Sequence, residues 1–115
     1  MNHSLSQIHG AFRHSDKAAK DEIPAKYGEY ADAHNVLVAD GCFVDGTVED
    51  TILFRGVTVE RGAVVKNSIL MQGSVVRSGA KLDHVILDKG VTVTEGRVLT
   101  GYEGLPLVFR KNLTV

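Results

Sequence analysis

A parallel β-helix with three short strands per coil is the fold class that this sequence predicts, and three observations point to it. Between residues 36 and 99, pairs of aliphatic or small residues two positions apart recur about every six residues, as in GVTVERGAVVKNSILMQGSVV. The pairs are separated by tight polar turns rich in glycine: ADG at 39–41, RG at 55–56, ERG at 60–62, QG at 72–73, RSG at 77–79, DKG at 88–90 and TEG at 94–96. Glycine suits turns that need positive φ, because it has no Cβ to clash. Finally, twelve glycines, many valines and no tryptophan favour turns and strands over helices. A period this short cannot hold a hairpin meander or a βαβ unit. It fits three strands per coil, about 18 residues per turn.

The bulk properties bound the rest. A chain of 115 residues is one domain at most, with one modest core. A formal charge of −1 suggests neither a nucleic-acid nor an anionic-membrane surface. The only cysteine, Cys42, excludes an intramolecular disulfide and fits a reducing compartment. No apolar run approaches the roughly 18 residues of a membrane span. The opening MNHSLSQ lacks a signal-peptide core, so a cytoplasmic protein is expected.

Residues 1–24 stand outside the repeat and read as a leader or linker. Leu5, Ile8 and Phe12 lie at i, i+3 and i+7, the spacing of one weak helical face. SDKAAKDE at 15–22 suits a polar helical turn or two, which Pro24 ends. His3, His9 and His14 are irregularly spaced and predict no metal site.

The β-helix is expected over 25–100. Residues two apart in a strand share a face, which assigns twelve inward pairs: Val36/Val38, Cys42/Val44, Gly46/Val48, Ile52/Phe54, Val57/Val59, Ala63/Val65, Ile69/Met71, Ser74/Val76, Ala80/Leu82, Val85/Leu87, Val91/Val93 and Arg97/Leu99. Over three sides they make four coils and three interior stacks: Val38, Phe54, Met71, Leu87; Val44, Val59, Val76, Val93; and Val48, Val65, Leu82, Leu99. Cys42, Gly46, Ala63, Ser74 and Ala80 are the small partners that tight corners need. Arg97 is expected where the last coil opens to solvent. The outward residues of one side then read Leu37, Leu53, Leu70 and Ile86, an apolar stripe of the kind that marks a contact surface. Its cover is either another domain or subunit, or this chain's own ends. The other two sides read Phe43, Thr58, Val75, Thr92 and Thr47, Val64, Lys81, Val98. Residues 101–115, with Pro106 followed by Leu107, Val108 and Phe109, read as an extended segment capping the open end.

Hexapeptide repeats of this kind resemble those of left-handed β-helix proteins, and the expected handedness comes from that resemblance. Its catalytic members are acyltransferases with a general-base histidine and carbonic-anhydrase-like proteins with three zinc-binding histidines. Here the repeat region offers His84, with His34 just before it, and no third ligand accompanies them. Asp83 could orient His84; the plainer reading is a solvated turn residue. Cys42 faces the core and reads as a packing residue. No Walker loop or Rossmann fingerprint occurs. No catalytic residue, metal or cofactor is therefore expected in this chain.

The stretch ILFRGVTVERGAVVKNSILMQGSVVRSGAKLDHVILDKGVTV, with the lead-in AKYGEY and the exit GRVLTGYEGLPLV, resembles the C-terminal β-helix domain of ADP-glucose pyrophosphorylase (glucose-1-phosphate adenylyltransferase). It looks closest to the GlgD-type, often regulatory, subunit of bacterial glycogen synthesis, and the likeness covers about residues 21–115. The resemblance implies a non-catalytic regulatory and oligomerisation domain. The family's nucleotide-binding domain, with its pyrophosphate loop and metal-binding aspartates, is not in this chain. The implied partners are that domain or a catalytic subunit, further subunits in a homo- or hetero-oligomer, and a phosphorylated-metabolite effector. Lys89 in ILDKG matches a family lysine associated with effector anions, although Gly90 stands where the family more often has asparagine. Two rivals remain: a trimeric hexapeptide-repeat acyltransferase using His84 or His34 as base, and a structural β-helix scaffold with no effector.

Overall fold

The computed structural model describes residues 23–115 as a left-handed parallel β-helix of about four turns. The expectations for residues 1–22, including the Leu5, Ile8 and Phe12 face and the three histidines, lie outside the described residues. Thirteen short strands follow one another among those described: β1 (Lys26–Tyr27), β2 (Asp32–Val38), β3 (Phe43–Val44), β4 (Thr47–Leu53), β5 (Thr58–Val59), β6 (Val64–Lys66), β7 (Ile69–Leu70), β8 (Val75–Val76), β9 (Lys81–Asp83), β10 (Val85–Leu87), β11 (Thr92–Val93), β12 (Val98–Thr100) and β13 (Leu107–Phe109). All strand pairing is parallel. No helix here is long and apolar enough to cross a membrane.

Three sides emerge from the pairing. The second side is the sheet β1-β3-β5-β8-β11. The other sheet bends over a corner, because β2 and β4 each run along the third side and on into the first. The first side stacks the ends of β2 and β4 with β7, β10 and β13. The third stacks their beginnings with β6, β9 and β12. Two interior stacks are as the spacing predicts: Val44, Val59, Val76, Val93 and Val48, Val65, Leu82, Leu99, all buried. Arg97 is exposed at the last coil.

On the first side the expected frame is wrong by one residue in the middle coils. The register pairs Val38 with Leu53, Leu53 with Leu70 and Leu70 with Leu87. Leu53 and Leu70 are 1% and 0% exposed, so they are core and not outer-face residues. Ile52 and Phe54 are exposed, at 36% and 45%, and Ile69 and Met71 are half-buried. The stack is therefore Val38, Leu53, Leu70, Leu87. The cause is a corner shorter than six residues. Leu53 follows Val48 by five positions, and Leu70 follows Val65 by five, so later coils hold 17 residues, as in Val48↔Val65↔Leu82. One residue of slip reverses every side chain along a strand.

That short corner is turned by Asn35, Asp50, Asn67 and His84, all non-glycine residues at positive φ, between 49° and 57°. Asn, Asp and His tolerate this region best, since their side chains bond locally. Here Asn35 Nδ2 donates to Asp50 Oδ1 at 2.6 Å, and Asn67 Nδ2 to Asp83 Oδ1 at 3.0 Å. The turn takes the next amide out of the regular ladder, and inward hydroxyls accept it. Ser68 N–H donates to Thr51 Oγ1 at 3.3 Å, and Val85 N–H to Ser68 Oγ at 3.1 Å. Each hydroxyl in turn donates to a carbonyl two residues back, Thr51 to Glu49 and Ser68 to Lys66, both at 2.7 Å. Ser68→Ala should thus leave the Val85 N–H buried without a partner, costing about 1–3 kcal/mol in denaturant unfolding. An unchanged midpoint would mean the hydroxyl ladder contributes nothing.

The ends are closed by chain that departs from the repeat. At the start, Asp45 is 7% exposed and accepts from Tyr30 N–H at 2.8 Å and Arg61 Nε at 3.4 Å. The Arg61 guanidinium lies 4.1 Å from the Tyr30 ring centre, which clasps the lead-in onto the first coil. At the other end Gly101 allows a sharp exit: a Cβ there would meet His84 O at 2.4 Å and Leu107 N at 2.6 Å. The chain then turns at Tyr102–Leu105 and returns as β13 beneath β10, with Phe109 and Val115 packed on the core. Thr94 N–H and its hydroxyl both donate to Val115 O.

Candidate functional site

Lys89 lies at the corner between the first and second sides. Each coil turns this corner at a positive-φ residue: Gly41, Gly56, Gly73, Gly90 and, in the tail, Asn112. Backbone bonds stack these turns, from Gly56 N–H to Asp40 O, Gly73 to Arg55, Gly90 to Gln72 and Asn112 to Lys89, at 2.9–3.0 Å. The preceding residues consequently form one exposed or half-buried column: Asp40, Arg55, Gln72, Lys89, Lys111. Lys111 sits about 4.8 Å below Lys89, and Arg110 is its chain neighbour. Among the described residues the ion pairs involve His34, Arg61, Arg77 and His84, not Arg55, Lys89, Arg110 or Lys111. Asp88 Oδ1 accepts the Lys89 N–H at 2.7 Å. Lys89 and Lys111 are the one pair of like-charged neighbours in this column among the described residues, and Asp40 and Asp88 place carboxylates on the same corner. The sequence places Lys89 in this turn, but it does not signal that Arg110 and Lys111 reach the same corner. The tail returns with a longer spacing than a coil, Ile86 facing Val108, and no repeat signal announces it.

The outer face of the first side carries the second candidate. Leu37 is 58% exposed and Ile86 half-buried, both pointing outward. The corrected register joins them through Ile52 and Ile69, not Leu53 and Leu70, and continues to Val108, which is 64% exposed. Phe54 and Met71 flank this column at the Lys89 corner. Five aliphatic residues thus form one straight outer stripe.

The histidines do not come together. His34 stacks with Glu49, Lys66 and Asp83 on successive coils, so it stands three coils, roughly 14 Å, from the His84 turn. His34 Nε2 lies 2.7 Å from Asp32 Oδ1, and His84 Nδ1 lies 2.9 Å from Asp83 Oδ1. No cluster of three metal-ligating side chains occurs among the described residues. Cys42 is 1% exposed, and its Sγ donates to Phe54 O at 3.0 Å. Burial is the main cause that pushes its thiol above the ordinary cysteine value. This is a packing residue.

A family model described as GlmU-like, C-terminal hexapeptide matches residues 19–103. The chain is 48% identical over 46 residues to the glycogen biosynthesis protein GlgD of Geobacillus stearothermophilus, a stretch covering 40% of this chain and 13% of that protein. It is 51% identical over 47 residues to GlgD of Bacillus subtilis, covering 41% and 14%. Against the glucose-1-phosphate adenylyltransferase of Clostridium botulinum it is 46% identical over 44 residues, covering 37% and 11%. The matched stretch is a small fraction of each relative's length. With the family model spanning most of a chain that folds as stacked short-strand coils, the protein belongs to the GlmU-like C-terminal hexapeptide family.

Proposed function

We propose that this chain is a non-catalytic regulatory and assembly domain of a glucose-1-phosphate adenylyltransferase system in bacterial glycogen biosynthesis. The observation that carries the reading is the identity of 46–51% over 44–47 residues to proteins named GlgD and glucose-1-phosphate adenylyltransferase. The cations at the Lys89 corner, which make no ion pair among the described residues, support the regulatory part: Lys89 offers a point charge to a phosphate, with Lys111 on the next coil, Arg110 beside Lys111, and Arg55 two coils away. A phosphorylated metabolite held there is the proposed effector. The proposed partner is a nucleotidyltransferase domain or catalytic subunit, in a homo- or hetero-oligomer, and the proposed compartment is the cytoplasm.

Titration calorimetry with phosphorylated sugars and glycerates tests the effector. Lys89→Ala should weaken binding at least about tenfold, the loss of one charge-assisted contact, while leaving the unfolding midpoint unchanged. Equal affinity in wild type and variant sinks the effector site. Turnover of ATP and glucose-1-phosphate by the purified chain alone would sink the non-catalytic assignment.

One observation favours a second reading. His84 Nδ1 is held by Asp83, leaving Nε2 to act as a base in acyl transfer. Acyl transfer unaffected by His84→Ala would remove it.

A further inference from the structure

Beyond Gly101 the chain leaves the repeat and returns as a strap, residues 105–115, laid along the last coil. On the first side β13 ends its sheet: it pairs with β10, and no strand lies on its other edge among the described residues. On the second side Thr114 bridges to Thr92. One row of backbone bonds holds the strap. Asp88, Thr92 and Thr94 N–H donate to Phe109, Leu113 and Val115 O, and Leu107, Asn112 and Val115 N–H donate to His84, Lys89 and Thr92 O, all at 2.8–3.1 Å. Its apolar anchors are Phe109 and Val115, both only partly buried, while Leu107, Val108 and Leu113 are exposed. A segment with one bonded edge and few buried contacts opens at lower cost than coils bonded on both edges.

The seam between strap and body runs through the Lys89 corner. Leu87 pairs with Phe109, and the same register sets Arg110 under Asp88 and Lys111 under Lys89, one coil apart. None of these four side chains makes an ion pair among the described residues. Lys89 belongs to the body and Lys111 to the strap, so their repulsion opposes docking. An oxyanion between the two ammonium groups turns that repulsion into two charge-assisted contacts. We propose that the strap is a latch on this corner: an oxyanion held between Lys89 and Lys111 fastens residues 107–115 to the last coil. Lifting the strap withdraws Lys111 and Arg110 from the corner, so binding and docking strengthen each other by the same factor. The latch rests on the Lys89 corner being the effector site proposed above, and it names the structural change that occupancy produces.

Amide hydrogen exchange of the full chain tests this, with inorganic pyrophosphate as the probe at matched ionic strength. The reporters are Asp88, Thr92 and Thr94 N–H, which belong to the body but are bonded to strap carbonyls, so they exchange when the strap lifts. The controls are Lys26 and Gly28 N–H, which donate to Cys42 O and Val44 O at the opposite end and can open without disturbing the corner. Pyrophosphate at ten times its Kd should slow the reporters about tenfold and leave the controls unchanged. Lys111 is exposed, so Lys111→Ala should fold normally and abolish that response. At low salt without pyrophosphate, its reporters should already exchange more slowly than those of the wild type, because the like-charged pair is gone. Calorimetry on the same samples separates the two ideas. Binding heat that Lys89→Ala abolishes, with Thr92 and Thr94 exchange unchanged, keeps the site and overturns the latch. Equal slowing of reporters and controls, or a full response in Lys111→Ala, overturns it too. Absence of any pyrophosphate binding overturns the bridge between the two lysines, while the metabolite titration of Lys89→Ala decides the effector site separately.

Discussion

Leu70→Ala should cost about 2–5 kcal/mol, whereas Ile69→Ala, one residue away, should stay within about 1 kcal/mol. Leu70 is fully buried, between Leu53 and Leu87 of the coils before and after. Truncating it removes packing on both sides and leaves a void in a three-sided core that adjacent coils cannot collapse into, since their backbones are fixed by ladder bonds. Ile69 is half-buried on the outer face, and its loss opens no cavity. In a domain of this size each kcal/mol moves the melting midpoint by about 4–8 °C, so the two variants should separate by at least about 4 °C. Reversed sensitivities would restore the six-residue frame with Ile69 and Met71 inside.

This contrast marks where the sequence was legible and where it was not. Two of three stacks can be read from spacing because their sides are joined by glycine corners of constant length after the first coil. Val59, Val76 and Val93 leave no alternative frame. The first side could not be framed by counting sixes, because Ile52-Leu53-Phe54 and Ile69-Leu70-Met71 are apolar at three consecutive positions. Either parity gives an apolar column, so hydrophobicity alone does not choose. A signal did exist in the corner itself. Asn35-Val-Leu-Val, Asp50-Thr-Ile-Leu, Asn67-Ser-Ile-Leu and His84-Val-Ile-Leu align without a gap, each beginning with a residue type that accepts positive φ. Aligning on that residue gives the observed frame at once.

The candidate sites were legible to the same uneven degree. Lys89 sits in a regular turn, so its place was readable. Arg110 and Lys111 reach the same corner only because Gly101 lets the chain leave the helix and return beneath it. Such a non-repeating detour has no periodic trace. The apolar outer face was recognised as a face, but half its membership was exchanged with the core by the same one-residue slip.

Gly46→Ala is expected to destabilise by about 3 kcal/mol, the upper end for overpacking, although alanine is the residue that follows in the column at Ala63 and Ala80. A Cβ at Gly46 would lie 2.6 Å from Ala63 O and 2.7 Å from Glu60 O. Both are backbone atoms already engaged, accepting from Thr47 N–H and Ala63 N–H, so neither can yield without breaking a ladder or turn bond. The difference from Ala63 lies in corner length. Val44 and Val48 are four residues apart, whereas Val59 and Val65 are six apart, and the missing two residues draw the first coil's backbone down onto the second. Gly104→Ala is the control, since a Cβ there meets nothing within 4 Å, and it should leave the midpoint unmoved. If both variants unfold at the wild-type midpoint, the short corner is not close-packed, and the first coil could be lengthened to the 17-residue repeat without loss.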